Sequence, residues 1–517
     1  MISDYRSKKI VSVSKKYLKM NLTTLSSVIL FLWIFSSPLH AQEIYSLDIE
    51  SSIELAKEKS RTMLILRERM EGASYNLKAA TSQFKTHVDL ALTIPQYTET
   101  IRQWEDSSGI SFYPVKQNMV NGNLIITQPL PTDGNLFIRT GVQNTVDFND
   151  NNRAAQITSS IGLRQPIEAF FGYNNLKLGY NQARLAYDLA IKQLKREELN
   201  LIYNVSRDFF TLVSFQERMN IAQLSLDRQR EAYEIAKNKY AAGLIREVES
   251  LQMEVDLSAA ANDLDIATVD YLAQVRFFKE NIGINLSDSV IVKNALDYNE
   301  VNVEVEKAVA LAFENRMELK ENDIQIELQQ MEIKRRKAQG MINGSIQVNY
   351  NFQGYNKNDL SIPLQTSLNN TWQNLMDRPG AFGVGLTVNI PIIDWGENKA
   401  RVRSAQAVLR QNQYQRDAGK VAIEGDTRTT VDRLQSSLRR LQLLEKNVIV
   451  AEKSFEISRQ RYSDGDIDSQ AMALERDRLN RAYISRLESF INYKLLLADI
   501  MRKTFFDFEK NVSMVGM

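Results

Sequence analysis

Two stretches of this chain align on each other without a gap, residues 45–97 on 301–353, at an offset of 256 (301 − 45). Glu50 falls on Glu306, Leu55 on Leu311, Ala56 on Ala312, Glu58 on Glu314, Glu71 on Glu327, Lys78 on Lys334 and Gln83 on Gln339. Both copies then pass from a helical pattern into an alternating one, with Leu90 and Leu92 matched by Ile346 and Val348. A second correspondence follows: Gln165-Pro166-Ile167 falls on Ile390-Pro391-Ile392 at 225 (390 − 165), and Tyr240-Ala241-Ala242-Gly243 on Tyr462-Ser463-Asp464-Gly465 at 222 (462 − 240). Each half reads as helix, strand, strand, long helix, turn and return helix. Residues 42–299 form the first repeat and 300–517 the second. Such duplication suits a wall built of repeated staves better than a single catalytic cleft.

Proline says where long helices are permitted. Pro95, Pro114, Pro129, Pro131 and Pro166 lie in one stretch and Pro363, Pro379 and Pro391 in another, with none between 167 and 362 or after 391. A proline inside a helix costs about 3 kcal/mol. In the free tract 175–240, Leu185, Leu189, Leu194, Leu201 and Val205 belong to an apolar stripe at helical spacing. A helix of about 65 residues spans roughly 100 Å, a length that calls for coiled-coil packing. Residues 399–462 repeat the pattern. A tethering or cytoskeletal coiled coil has the same helices, so they do not decide the class.

The proline-bearing stretches alternate with period two. Val88, Leu90, Leu92 and Ile94 stand opposite Asp89, Ala91 and Thr93; Ile157, Ile161 and Leu163 opposite Thr158, Ser160 and Arg164. Ile346, Val348, Tyr350 and Phe352 alternate with Gln347, Asn349 and Asn351, and Val384, Leu386, Val388 and Ile390 with Gly385, Thr387 and Asn389. Segments of about ten residues with one apolar face are the pattern of transmembrane β-strands. Residues 118–129 and 135–147, joined by Pro131-Thr132-Asp133-Gly134, read as an added hairpin of the first half, either strands of the same sheet or a cover over its mouth. Residues 104–114 and 356–379 are expected to be outer loops.

The N-terminus reads as a signal peptide over residues 1–41. Lys8, Lys9, Lys15, Lys16 and Lys19 precede an apolar stretch at 28–35, and Ala41 offers a small residue for cleavage; a start at Met20 gives a more usual length. The competing reading is a membrane anchor, for which the apolar stretch is short. No later apolar run is long enough to span, so a membrane-embedded mature chain must use a closed β-barrel. Lys and Arg number 64 against 63 Asp and Glu, a net charge of +1, which gives no overall field to attract nucleic acid. The chain has no cysteine and two histidines, His40 and His87. With no Walker loop, dinucleotide fingerprint or zinc spacing, no catalytic residue, cofactor or metal ligand is expected.

In order and duplication, these elements resemble the TolC family of outer-membrane efflux and secretion channels over essentially the whole mature length. The residues that carry the likeness are the strand ending in Pro391 followed by Asp394-Trp395-Gly396, and the duplicated Tyr-x-x-Gly turns. The resemblance implies a mostly helical fold: a long antiparallel coiled-coil tunnel, with strands contributed to a β-barrel shared by a homotrimer. It further implies an exit duct in the outer membrane with a periplasmic extension, docking to a periplasmic adaptor and to an inner-membrane pump of RND or ABC type. The cargo is small toxic compounds or secreted products. A type I protein-secretion duct has the same fold, and a periplasmic coiled-coil protein that never inserts is the rival from another class.

The resemblance places the periplasmic tip and adaptor contact at Tyr240, Gly243, Leu244, Tyr462, Gly465 and Ile467. Glu247, Glu249, Asp464, Asp466 and Asp468 crowd the same turns, and in a trimer each makes a ring of like charge that favours cations. The family pattern has aspartates nine and twelve residues after the second tyrosine; Ala471 and Leu474 stand there, whereas Glu249 lies nine residues after Tyr240. Replacing Tyr462 by Phe together with Asp466 by Ala is expected to loosen the tip.

Overall fold

The computed structural model describes residues 44–107, 109–293 and 296–514. The signal-peptide reading of 1–41, with Met20 and His40, lies outside the described residues. In chain order the first half holds β1 (Ile44–Leu47), α1 (Ile49–Lys59), α2 (Arg61–Ser82), β2 (His87–Asp106), β3 (Gly109–Pro129), β4 (Asn135–Asp147), β5 (Asn152–Pro166), a 3-10 turn (Ile167–Phe171), α3 (Asn175–Ala241), α4 (Glu247–Ile282) and β6 (Ser289–Val292). There follow α5 (Val305–Asn315), α6 (Met317–Gln339), β7 (Asn343–Asp359), α7 (Leu364–Asp377), β8 (Ala381–Asn389), α8 (Glu397–Asp464), α9 (Ser469–Thr504), β9 (Phe506–Asp507) and β10 (Val512–Ser513).

Local chemistry sets the helix ends. Asp48 caps α1, its carboxylate accepting from the Ser51 N–H at 2.8 Å while the Ser51 hydroxyl accepts from the Asp48 N–H at 3.0 Å. Ser60 ends α1 in extended backbone and caps α2 through the Met63 N–H. The long helices α3 and α8 run for 67 and 68 residues through the two proline-free tracts. The helices α4 and α9, each 36 residues, pack back along them. α2 lies along α3 and α6 along α8.

Midway along α3 the helices share their largest core. Phe209 and Phe210 of α3 meet Phe278 of α4 and Phe490 of α9, with ring centroids 6.1 Å apart for Phe209–Phe278 and 6.3 Å for Phe210–Phe490. Leu434 and Leu441 of α8 and Tyr493 of α9 complete it. Each such buried side chain contributes about 1.5–3 kcal/mol. The Tyr493 hydroxyl donates to the Asn299 carbonyl at 2.7 Å and accepts from the Val301 N–H at 3.0 Å, pinning the segment between the halves. Beside it, burial and then the Glu445 carboxylate push the Tyr298 phenol up to about 12. Strands β1 and β6 pair in parallel against this core, and the β9–β10 hairpin closes the chain near it.

The other six strands form one antiparallel sheet in the order β2-β3-β4-β5-β7-β8. A row of directly opposed residues crosses all of them: Val88, Ile126, Ile138, Ile161, Tyr350 and Phe382. The next row, Asp89, Ile125, Arg139, Ser160, Asn351 and Ala381, points to the other face. The added hairpin is therefore part of the sheet, with β3 and β4 inserted between β2 and β5. Both expected outer loops need correction. Residues 104–114 hold the turning end of a long hairpin, Trp104 opposite Ser111 and Arg102 opposite Tyr113, because Ile101, Trp104, Ile110 and Phe112 favour strand. Residues 356–379 contain the end of β7 and the 14-residue helix α7.

Phe278→Ala, at a fully buried position, is expected to destabilise the protein by about 3–5 kcal/mol. Denaturant unfolding in detergent, followed by circular dichroism at helical wavelengths, measures it. A loss under 1 kcal/mol contradicts the central role of the aromatic contact.

Candidate functional site at the helical turns

The two Tyr-x-x-Gly turns come together at the end of the helices away from the sheet. They line one open cleft, with Lys239, Gly243, Leu244, Ile245, Arg246 and Glu249 on one side and residues 462–468 on the other. Their backbones are alike. The Leu244 N–H donates to the Lys239 carbonyl and the Gly243 N–H to the Tyr240 carbonyl, both at 2.9 Å. Asp466 and Gly465 make the same pair of bonds to Arg461 and Tyr462, at 2.9 and 3.2 Å. Gly243 and Gly465 hold φ of +73° and +91° in this Schellman geometry, where a side chain is strained.

The surroundings of the two tyrosines differ. Tyr462 is 3% exposed, packed among Ala232, Ala236, Met253, Phe455, Met472 and Leu479, whereas Tyr240 is 44% exposed. Lys239 joins the buried one to the other hairpin. Its ammonium lies 4.8 Å from the centre of the Tyr462 ring and donates to the Tyr462 backbone carbonyl. The lysine thus reaches from the last turn of α3 to the negative end of α8, joining the two helical hairpins. The Tyr462 hydroxyl has no hydrogen-bond partner among the described residues. The expected loosening by Tyr462→Phe is accordingly revised: phenylalanine keeps both the ring and the carbonyl that Lys239 grips.

The five acids are placed differently from one another. Glu249 pairs with Arg246 at 3.0 Å, close enough to Tyr462 for its charge to act on the phenol. Asp468 caps α9, accepting from the Ala471 N–H at 2.8 Å. Asp464 accepts from the Gln460 amide at 3.1 Å, and Glu247 and Asp466 are exposed on the turns. Ile467 packs against the Tyr462 cluster, and Leu244 projects into solvent. Lys239 and Arg246 are the functional candidates that sequence reasoning missed. The legible signal for Arg246 was its spacing of three from Glu249; for Lys239 no local signal existed.

Further from the tip the pairing continues. The Arg228 guanidinium lies over the rings of Phe455 and Tyr483, 5.3 and 5.7 Å from their centres. Gln229, buried, donates to the Met253 carbonyl at 3.2 Å and accepts from Arg476. The arrangement is a set of polar and cation–ring contacts that tie α3, α4, α8 and α9 together.

Burial, and then the charge of Glu249, raise the Tyr462 phenol above its ordinary value of 10. As pH climbs past that value the unfolded chain ionises first. The contribution is whole below about pH 10 and is lost as pH rises through the folded value. Tyr462→Phe is expected to leave stability at pH 8 within about 1 kcal/mol and to lessen the loss between pH 10 and 11. Thermal midpoints across that range measure it, and an unchanged alkaline profile contradicts it.

A description of the outer membrane efflux protein family matches residues 53–276 and 357–479. No curated protein sequence matches the chain. Among solved structures, the CmeC outer membrane channel of Campylobacter jejuni is 14% identical with a TM-score of 0.65, over 90% of this chain and 86% of that one. The outer membrane protein VceC of Vibrio cholerae is 14% identical with a TM-score of 0.64, over 89% and 97%. The open state of the MtrE outer membrane channel of Neisseria gonorrhoeae is 12% identical with a TM-score of 0.63, over 90% of each. At these identities the likeness shows a shared fold.

Proposed function

The chain belongs to the outer membrane efflux protein family, and from that membership we propose that three copies close edge to edge into one β-barrel standing on a helical tunnel. The family places the protein in the outer membrane as an efflux channel. The barrel reading rests on one observation above all, the six-stranded sheet with one apolar and one polar face and with β2 and β8 unpaired at its edges. A sheet in lipid cannot leave edges open, because no water is there to take up the free N–H and C=O groups. Among the described residues no helix is long and apolar enough to cross a membrane, which leaves the strands as the crossing elements. Six strands are too few to enclose a wide pore, and repetition around an axis closes the sheet without exposing an edge.

The duplication enters the same reading. α5 starts 256 residues after α1 (305 − 49) with the same 11-residue length, and α9 starts 222 after α4 (469 − 247) with the same 36. Two such units per chain, 42–299 and 300–517, supply six staves to a trimeric wall.

The turns then form the periplasmic tip. Tyr240, Leu244 and Gly243 on the exposed turn, with Gly465 and Ile467 beside them, offer the surface that meets a periplasmic adaptor. Lys239 on Tyr462 holds the two hairpins of one subunit together, and rings of Glu247, Asp464 and Asp466 line the aperture. Passage through the duct itself is passive, an inner-membrane pump supplies the energy, and the cargo is small toxic compounds or secreted products.

The experiment joins native mass with conductance on protein extracted from outer membranes. The expected result is a particle of three mature chains with discrete cation-selective openings. Lys239→Ala with Arg246→Ala is expected to raise the open fraction several-fold. A single-chain particle freed by carbonate without detergent sinks the barrel. Unaltered gating in the double variant sinks the clamp alone.

A further inference from the structure

The outer end of the sheet differs sharply between its two sides. β8 stops at Ala381, opposite Asn351, so the outer half of β7 up to Asp359 has β5 on one side and no strand on the other. α7 packs along that stretch of β7 and on β5. The Asn374 side-chain oxygen accepts from the Tyr355 N–H at 3.0 Å, a bond that a missing strand would have taken. A Cβ on Gly354 would collide with the Thr371 carbonyl and lie 2.8 Å from the Leu375 Cβ, so glycine permits this close seat. Ser367, Thr371 and Leu375 are buried there, while Trp372 and Met376 on the adjoining flank are 51% and 66% exposed.

On the opposite edge, β2 and β3 run on past the end of β4. Asp147 stands opposite Gln117, and beyond that level β2 and β3 pair only with each other, as far as Asp106 and Gly109. This ribbon exposes Ile101, Ile110 and Phe112, with Tyr97 just before it, on the side that continues the apolar face. A lone two-stranded ribbon with exposed apolar residues is marginal in water, so it calls for a partner. Before it begins, the β2–β3 register slips between Thr93 and Gln96, and Pro95 has no N–H to give a further strand. The nine residues 87–95 match the length of β8.

We propose that in the closed ring the β2–β3 ribbon of one subunit packs against the exposed flank of α7 of the next copy, clasping the outer rim. This rests on the edge-to-edge closure proposed above and adds a contact which that closure does not require. β8 of one copy takes residues 87–95 of its neighbour, and beyond Pro95 the neighbour's β2 meets a helix where a strand would otherwise be. The spans are comparable: the eight β2 residues of the ribbon, 99–106, extend roughly 26 Å, and the fourteen of α7 about 21 Å. α7 runs toward β8 as β2 runs away from the helices; at about 3.3 Å per strand residue and 1.5 Å per helix residue, this sets Tyr97 level with Met376 and Glu99 level with Trp372.

Within one chain, four strand steps of about 4.8 Å separate β2 from β7, so no disulfide can join these positions in the same subunit. The chain has no cysteine of its own. Full-length Tyr97→Cys/Met376→Cys and Glu99→Cys/Trp372→Cys are oxidised in outer membranes, then compared by non-reducing gel and native mass. Covalent dimers and trimers, absent from each single-cysteine control, are expected. A native trimer in which neither pair forms an interchain disulfide overturns the clasp and leaves the ring standing; a single-chain particle overturns both. A nitroxide on Met376→Cys that dissolved oxygen relaxes strongly gives bilayer lipid as the occupant and also overturns the clasp.

Discussion

The contact among Phe209, Phe210, Phe278 and Phe490 carries the rest of the structure. Helices of 67 and 68 residues have no intrinsic reason to stay level with one another over such a length. Interdigitated aromatic rings on α3, α4 and α9, with Leu434 and Leu441 of α8 beside them, fix their relative height, because each ring fits one gap and a slip of a turn leaves it unpacked. Tyr493, bonded to Asn299 and Val301, ties the segment between the halves to the same level. Everything at a distance, the sheet at one end and the turns at the other, takes its position from this point.

At the turns the two halves keep a common backbone and part in their side chains. Both end in a glycine with positive φ and the same two hydrogen bonds, since the bonds satisfy the last carbonyls of a long helix wherever it ends. Tyr462 is buried among side chains of both hairpins while Tyr240 is exposed, and the Lys239 ammonium lies over the Tyr462 ring. One lysine joins the hairpins through a ring face and a carbonyl, two contacts that break together. Such a contact suits a tip that must hold one state and release it, as proposed for the aperture.

At the sheet end the governing fact is the unpaired backbone. Each strand offers two edges, and the chain deals with them unequally. The outer half of β7 is covered by α7 from the same chain, with Asn374 standing in for a strand. The edges of β2 and β8 are left open, and the apolar row from Val88 to Phe382 lies bare on one face. Open edges on a half-apolar sheet are a hazard in water and untenable in lipid, which is what the proposed closure around an axis would remedy.

What the sequence by itself determined were the properties that act over a few residues. The absence of proline placed the long helices at 175–240 and 399–462, and the structure has them at Asn175–Ala241 and Glu397–Asp464. Period-two alternation placed strands around Val88, Ile161, Val348 and Val384, and the glycines after Tyr240 and Tyr462 marked the turns. Tertiary structure decided whatever depends on partners far along the chain. Residues 104–114 became a strand pair, and part of 356–379 a helix on the edge of β7, because neighbouring strands end where they do. Lys239 gained its role from a ring 223 positions away (462 − 239). Backbone geometry is written in adjacent residues, whereas the burial of a side chain is written by whatever the fold brings against it.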